Sequence, residues 1–89
     1  MNRQSRPALG KGIGLRRESD GTAMLLVPEG ALFLNSSAAA AIELVDGKKT
    51  VHDIIRALIE RFDVNEAQAS QEVLHLFARL AERRFVRDA

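Results

Sequence analysis

The sequence predicts an α+β fold, a small three-stranded antiparallel sheet followed by three helices, and three observations carry that expectation. Short runs of strand-forming residues separated by Asp20-Gly21 and Pro28-Glu29-Gly30 fill the stretch from Ile13 to Leu34. Apolar residues then recur at helical spacing as far as Leu80, with a helix-start signal before each of three segments. The connections are short, and strands followed by helices place the helices on one face of the sheet.

Residues 1–12, with Pro7, Gly10 and Gly12 among polar neighbours, have no sustained period and read as a flexible basic arm ahead of a domain spanning residues 13–89. Ile13, Leu15 and Arg17 alternate with Gly14 and Arg16, giving a first strand near 13–18. Asp20-Gly21 is a hairpin signal, because glycine tolerates positive φ, and a second strand follows near 22–27. In Val27-Pro28-Glu29-Gly30 the fixed φ of proline starts a tight turn and glycine closes it, so Ala31-Leu32-Phe33-Leu34 becomes the third strand. This order makes the first and third strands the outer members of a meander, and an outer strand leaves a row of unpaired N–H and C=O groups.

Asn35, with Ser36 and Ser37, offers an acceptor to the free amides of a helix start, and the alanine-rich stretch Ala38 to Val45 forms the first helix, closed by Asp46-Gly47. Thr50 and Asp53 form a capping-box pair ahead of Val51, Ile54, Ile55, Leu58, Ile59 and Phe62, which recur at the period of a second helix. Asn65 and Gln68 repeat that pattern ahead of a third helix ending near Arg83, whose inner stripe is Ala69, Val73, Leu76, Phe77 and Leu80. A second row, Ala67, Leu74, Ala78 and Ala81, widens its apolar arc beyond one buried stripe. The sheet, a second subunit and a bound peptide are each able to cover that row. The last two helices suit a helix-turn-helix, and the whole a winged-helix-like architecture.

At 89 residues there is room for one domain and none for an active-site lobe. The absence of cysteine excludes disulfides, thiolate nucleophiles and cysteine-bound metal clusters. No apolar run approaches the length of a membrane span and no signal-peptide core precedes the domain, so the cytoplasm is the expected compartment. The net charge of +1 conceals an asymmetry: residues 1–17 hold five bases and no acid, whereas residues 18–89 hold eight bases against twelve acids. The basic arm suits either a solvated tail or contact with an acidic partner.

Catalysis requires a nucleophile, a metal or a matched acid and base in a site that excludes water. His52 at a helix start and His75 in the third helix are too far apart in sequence, and too alone, to make a metal case, while Ser36 and Ser37 are explained as helix-start residues. No cofactor or metal is expected. Gly10, Gly12 and Gly14 precede a strand rather than a helix, which is the wrong order for a phosphate loop. A winged-helix DNA-binding regulator is the rival reading, yet the leading half of the third helix presents Glu66, Gln68, Ser70, Gln71 and Glu72 and no Lys or Arg before Arg79. Two acids at that position repel phosphates, and the cluster Arg79, Arg83, Arg84 and Arg87 suits the negative end of the helix dipole. An acidic body with an open apolar strand fits protein better than nucleic acid, since strand addition draws affinity from main-chain hydrogen bonds. Leu32 and Leu34 point to one face of the third strand and Ala31 and Phe33 to the other, so one pair packs inward while the other borders a groove.

The stretch Leu25-Leu26-Val27-Pro28-Glu29-Gly30-Ala31-Leu32-Phe33-Leu34-Asn35-Ser36-Ser37-Ala38-Ala39 resembles the PqqD family, whose members carry LL-x-PEG-x-x-x-LN-x-SA. The similarity continues through Asp46-Gly47-Lys48-Lys49-Thr50-Val51 and Ile54-Ile55, like the family's DG-x-x-T/D-V-x-x-II, and spans about residues 6–86. The resemblance implies a winged-helix-like recognition element that binds a ribosomally made precursor peptide and presents it to a radical S-adenosylmethionine enzyme, in pyrroloquinoline quinone (PQQ) biosynthesis or another modified-peptide pathway. It also implies that the leader of the peptide adds as a strand beside the third strand, toward the third helix. Carried onto this chain, the peptide-binding residues are Ala31, Leu32, Phe33 and Leu34, with Val73, Phe77 and Leu80 as groove wall. A free strand edge and a wide apolar helix face also suit a homodimer.

Overall fold

A computed structural model describes residues 1–89, with elements in the order β1 (Pro7–Leu9), β2 (Gly14–Arg17), β3 (Ala23–Val27), β4 (Gly30–Leu34), α1 (Ser36–Glu43), α2 (Val51–Phe62), α3 (Glu66–Glu82) and β5 (Val86–Asp88). The three strands expected between residues 13 and 34 are β2, β3 and β4, an antiparallel sheet in that spatial order. Gly21, with φ of 91°, turns β2 into β3, and the carboxylate of Asp20 accepts hydrogen bonds from the Thr22 amide and hydroxyl, which hold its pKa below the ordinary value. Pro28 and Glu29 alone separate β3 from β4, with Val27 opposite Gly30.

Register fixes the two faces of this sheet. Leu15, Leu25 and Leu32 stand in one row and Arg17, Ala23 and Leu34 in the next. On this side Ala23 and Leu25 are buried, and α1 packs against all three strands. The opposite side carries Arg16, Met24 and Phe33 in one row and Gly14, Leu26 and Ala31 in another. α1 in turn packs on α2 and α3, so the core runs continuously from Leu25 through Ile42, Ile54 and Ile55 to Phe77.

All three helices start where the sequence places a side-chain acceptor. Asn35 Oδ1 accepts from the Ala38 amide at 2.8 Å, and Asn65 Oδ1 accepts from the Gln68 amide at 2.7 Å. Thr50 and Asp53 complete a reciprocal capping box, with bonds of 3.1 and 3.0 Å. The Thr50 amide is the main reason that the Asp53 carboxyl is held below its ordinary pKa. α1 begins at Ser36, two residues ahead of the alanine run, because Asn35 sets the start.

The N-terminal segment is a correction to the expected arm. Residues 1–12 are part of the folded unit: β1 pairs antiparallel with β5, a two-stranded sheet that the sequence did not foretell, and Ser5 and Pro7 are buried. The carbonyls of Arg3 and Ser5 accept bonds of 2.9 Å from the His52 and Val51 amides, filling two of the free donors at the start of α2. Arg3 reaches Ser70 Oγ at 2.9 Å, His52 Nδ1 at 2.7 Å and Glu66 at 3.3 Å, which ties the segment to both α2 and α3. Met1 and Ala81 line one hollow, so the N-terminus lies beside the end of the second apolar row of α3, while Ala67 and Ala78 of that row stay exposed. Much of the leading positive charge is thereby spent internally, with Arg16 paired to Glu18 and Arg17 to Glu43.

Gly10 explains part of the glycine-rich run. Its amide donates to the Phe85 carbonyl at 2.8 Å, and a Cβ at this position would lie 2.8 Å from the Arg84 carbonyl oxygen. Only a residue without a side chain lets the two backbones pass this closely. At the far end, α3 closes with the Phe85 amide bonded to the Leu80 carbonyl and the Arg84 amide to that of Ala81, the paired bonds of a Schellman motif. Arg84 takes the left-handed position with φ of 64°, and this reversal turns the chain into β5.

Candidate functional site

β4 is an outer strand. It bonds to β3 on one side and to no strand on the other, and in an antiparallel ladder every second residue aims its N–H and C=O away from the partner strand. Those groups therefore form an unpaired backbone edge. The end of β4, the start of α1 and one face of α3 enclose a groove of about 430 Å³, into which Leu58 of α2 also reaches. The small side chains Ala38 and Ala41 on α1 leave this space, since larger residues there would fill it.

Of the residues expected at a peptide site, Ala31 and Phe33 are exposed on the outer face of β4, while Leu32 and Leu34 are half-buried on the inner face, in the alternation that a strand requires. Phe33 is 79% exposed and lies at the rim of the groove, and Leu34 lines it. Val73 also lines the groove. Phe77 and Leu80 are placed elsewhere: both are core residues, Phe77 with no exposed surface. Residues 73, 77 and 80 form one helical stripe, and the stripe most apolar in sequence is the one that the domain core takes.

The face of α3 that borders the groove is the adjoining one, formed by Glu72, His75, Leu76 and Arg79 with Gln71 at its edge. Sequence reasoning did not pick these residues as site residues because their row mixes charge with a single leucine. The available signal was their position one step round the helix from the core stripe, at i, i+3, i+4 and i+7. His52 is engaged with Arg3, far in sequence from His75 at the groove, and no group of three or more His, Asp or Glu side chains is placed to hold a metal ion. Asp20, Asp46 and Asp53, the carboxyls with lowered pKa, sit in turns and a helix cap outside the groove; at Asp46 the Lys49 amide is the largest cause. No helix is long and apolar enough to cross a membrane.

Fold and groove define a small α+β domain of winged-helix-like build with one free strand edge facing a helix. The family model described as coenzyme PQQ synthesis protein D (PqqD) matches residues 22–86. A PqqA binding protein of Xanthomonas axonopodis pv. citri is 31% identical over 88 residues, covering 98% of this chain and 96% of that protein. The chain belongs to the PqqD family.

The bifunctional coenzyme PQQ synthesis protein C/D of Methylorubrum extorquens is 35% identical over 79 residues, which are 88% of this chain but 21% of that longer protein. Among solved structures, the solution NMR structure of the PqqD truncation of Methylobacterium extorquens PqqCD superimposes with a TM-score of 0.77 at 33% identity, covering 91% of this chain and 87% of that one. That truncation represents a functional, stand-alone recognition element for ribosomally synthesized and post-translationally modified peptides.

Proposed function

We propose that this chain is a non-catalytic peptide-binding protein of PQQ biosynthesis, which takes up a PqqA-type precursor peptide as an added strand on β4 and presents it to a radical S-adenosylmethionine enzyme. The observation that carries the reading is the unpaired edge of β4 beside an apolar-floored groove. Strand addition uses such an edge for affinity and the adjoining hollow for selectivity. Relatives named PqqA binding protein, and the recognition element in the Methylobacterium structure, support the same role.

In this reading Ala31, Leu32, Phe33 and Leu34 supply the receiving strand, with Phe33 closing over the guest from the rim. Val73 forms part of the groove floor, and Phe77 and Leu80 act from the core, holding α3 at its distance from β4. The chain performs no bond-making step; it orders the peptide and leaves the chemistry to the enzyme, in the cytoplasm. The test is titration of the isotope-labelled protein with a PqqA peptide. Amide signals of residues 31–34 and of the groove face of α3 are expected to shift together, with new protection of β4 amides from exchange. Shifts confined to the β1–β5 side, or none at saturating peptide, refute the proposal.

A further inference from the structure

Resting on that reading, we infer that Arg79 is a specificity residue of the groove and takes an acidic side chain of the bound peptide. Three observations point to this pairing. Arg79 is the only Lys or Arg lining the groove, and it is exposed. It enters none of the ion pairs of the structure, unlike Arg3, Arg16, Arg17 and Lys49. The other side of the groove offers it no carboxylate, because Asn35, Ser37, Ala38 and Ala41 stand there and the Asn35 side chain is engaged at the start of α1.

The rest of the groove specifies what accompanies that acid. Its floor of Leu34, Ala38, Ala41, Leu58, Val73 and Leu76 accepts an apolar side chain. An extended chain turns every second residue to the same face, at a repeat of about 6.8 Å. Glu72, seven residues before Arg79, stands about 10.5 Å away along the helix axis and has one weak contact, from Gln68 at 3.4 Å. A peptide that runs along α3 with its acid on Arg79 therefore brings the residue two positions away over His75 and Leu76, where an apolar side chain packs on the leucine, and carries no acid opposite Glu72. The ligand class is an extended segment of pattern acid-x-apolar, read in one direction only, because reversing it sets the acid against Glu72.

The test is a coupling experiment with fluorescent PqqA peptides in which each Asp or Glu in turn is replaced by its amide, titrated against the native protein, Arg79→Gln and Arg79→Glu. Arg79→Gln is expected to weaken the native peptide by about three- to tenfold, the range for a partly screened interfacial pair. One amide-substituted peptide should lose the same factor on the native protein and nothing further on Arg79→Gln, and lysine at that peptide position should restore binding to Arg79→Glu. If Arg79→Gln binds as the native protein does, or lowers affinity equally for every peptide, the inference fails while the β4 reading stands. Absence of PqqA binding by the native protein overturns both. Because Arg79 is exposed, an unchanged unfolding transition verifies that each variant is folded.

Discussion

Two phenylalanines separate binding from stability at the scale of single residues. Phe33 is 79% exposed and Phe77 has no exposed surface, so each has one of the two properties that a core aromatic at a binding site would combine. Replacing Phe33 by alanine removes no core contact, and stability should change by no more than about 0.5 kcal/mol, as for surface positions in general. A rim aromatic that closes over a bound peptide is worth about 1–2 kcal/mol or more on truncation, so PqqA affinity should fall roughly five- to thirtyfold. Phe77→Ala leaves a cavity in the core cluster that also holds Ile54, Ile55 and Leu58, at a cost of about 3–5 kcal/mol. Denaturant unfolding and peptide titration of both variants check the pair: a Phe33 variant that unfolds early, or a Phe77 variant of native stability, contradicts this division. The exposure of Phe33 is legible from strand alternation at residues 31–34, whereas the groove-wall role of Phe77 and Leu80 that the family resemblance implies runs against the apolar stripe on which they lie. Both lie on the stripe that also holds Ala69 and Val73, and a stripe so uniformly apolar is claimed by the core before any ligand.

Elements were legible wherever a local signal started or stopped them. Asn35, Thr50 and Asn65 each bond the amide three residues on, so three helix starts follow from three side chains. Pro28 and Gly30 fix the β3–β4 hairpin in the same way. The end of α3 lacked such a signal. Its Schellman closure puts Arg84 in the left-handed region, where glycine is the common occupant, and with arginine there the turn into β5 is invisible in the sequence. The packing of Phe85 and Leu80 into the core holds that arginine in place, since both are buried at the two ends of the closure. Replacing Arg84 by glycine relieves the Cβ strain of the left-handed conformation, and part of that gain is offset by the greater freedom of glycine in the unfolded chain. The net expectation is a gain of about 0.5–1 kcal/mol, read as a higher denaturant midpoint with an unchanged slope. A lower midpoint would mean that the Arg84 side chain contributes more than its backbone costs.

The whole molecule depends on contacts between its two chain ends, which lie nearly the full sequence apart. β1 and β5 have three residues each, too few to show a period, and their pairing joins positions about 80 apart, so nothing local announced either strand. Residues 22–86, the span of the family match, include the three-stranded sheet's last two strands and all three helices, but none of the N-terminal segment that covers the back of α3. Deleting residues 1–9 removes the carbonyls that fill the Val51 and His52 amides, the Gly47–Pro7 and Ala89–Arg6 bonds, and the β1–β5 ladder. At about 0.5–1.5 kcal/mol for each bond lost, and with water able to replace some of them, the truncated chain should lose about 2–4 kcal/mol. Phe85 and Val86 then lose part of their cover, so hydrogen exchange should quicken at the end of α3 and the start of α2 before it does in β3 and β4. The groove beside β4 lies on the opposite side of α3 from this segment, for Glu72, Leu76 and Arg79 line one side while on the other Ser70 bonds Arg3 and Ala81 borders the hollow lined by Met1 and Ser5. Affinity for PqqA, measured where the truncated protein is still folded, should therefore stay within about twofold of the native value, because distant sites that share no partners are close to additive. A fall in affinity beyond that, at unchanged folded fraction, would show that the N-terminal segment sets the position of α3 as well as covering it.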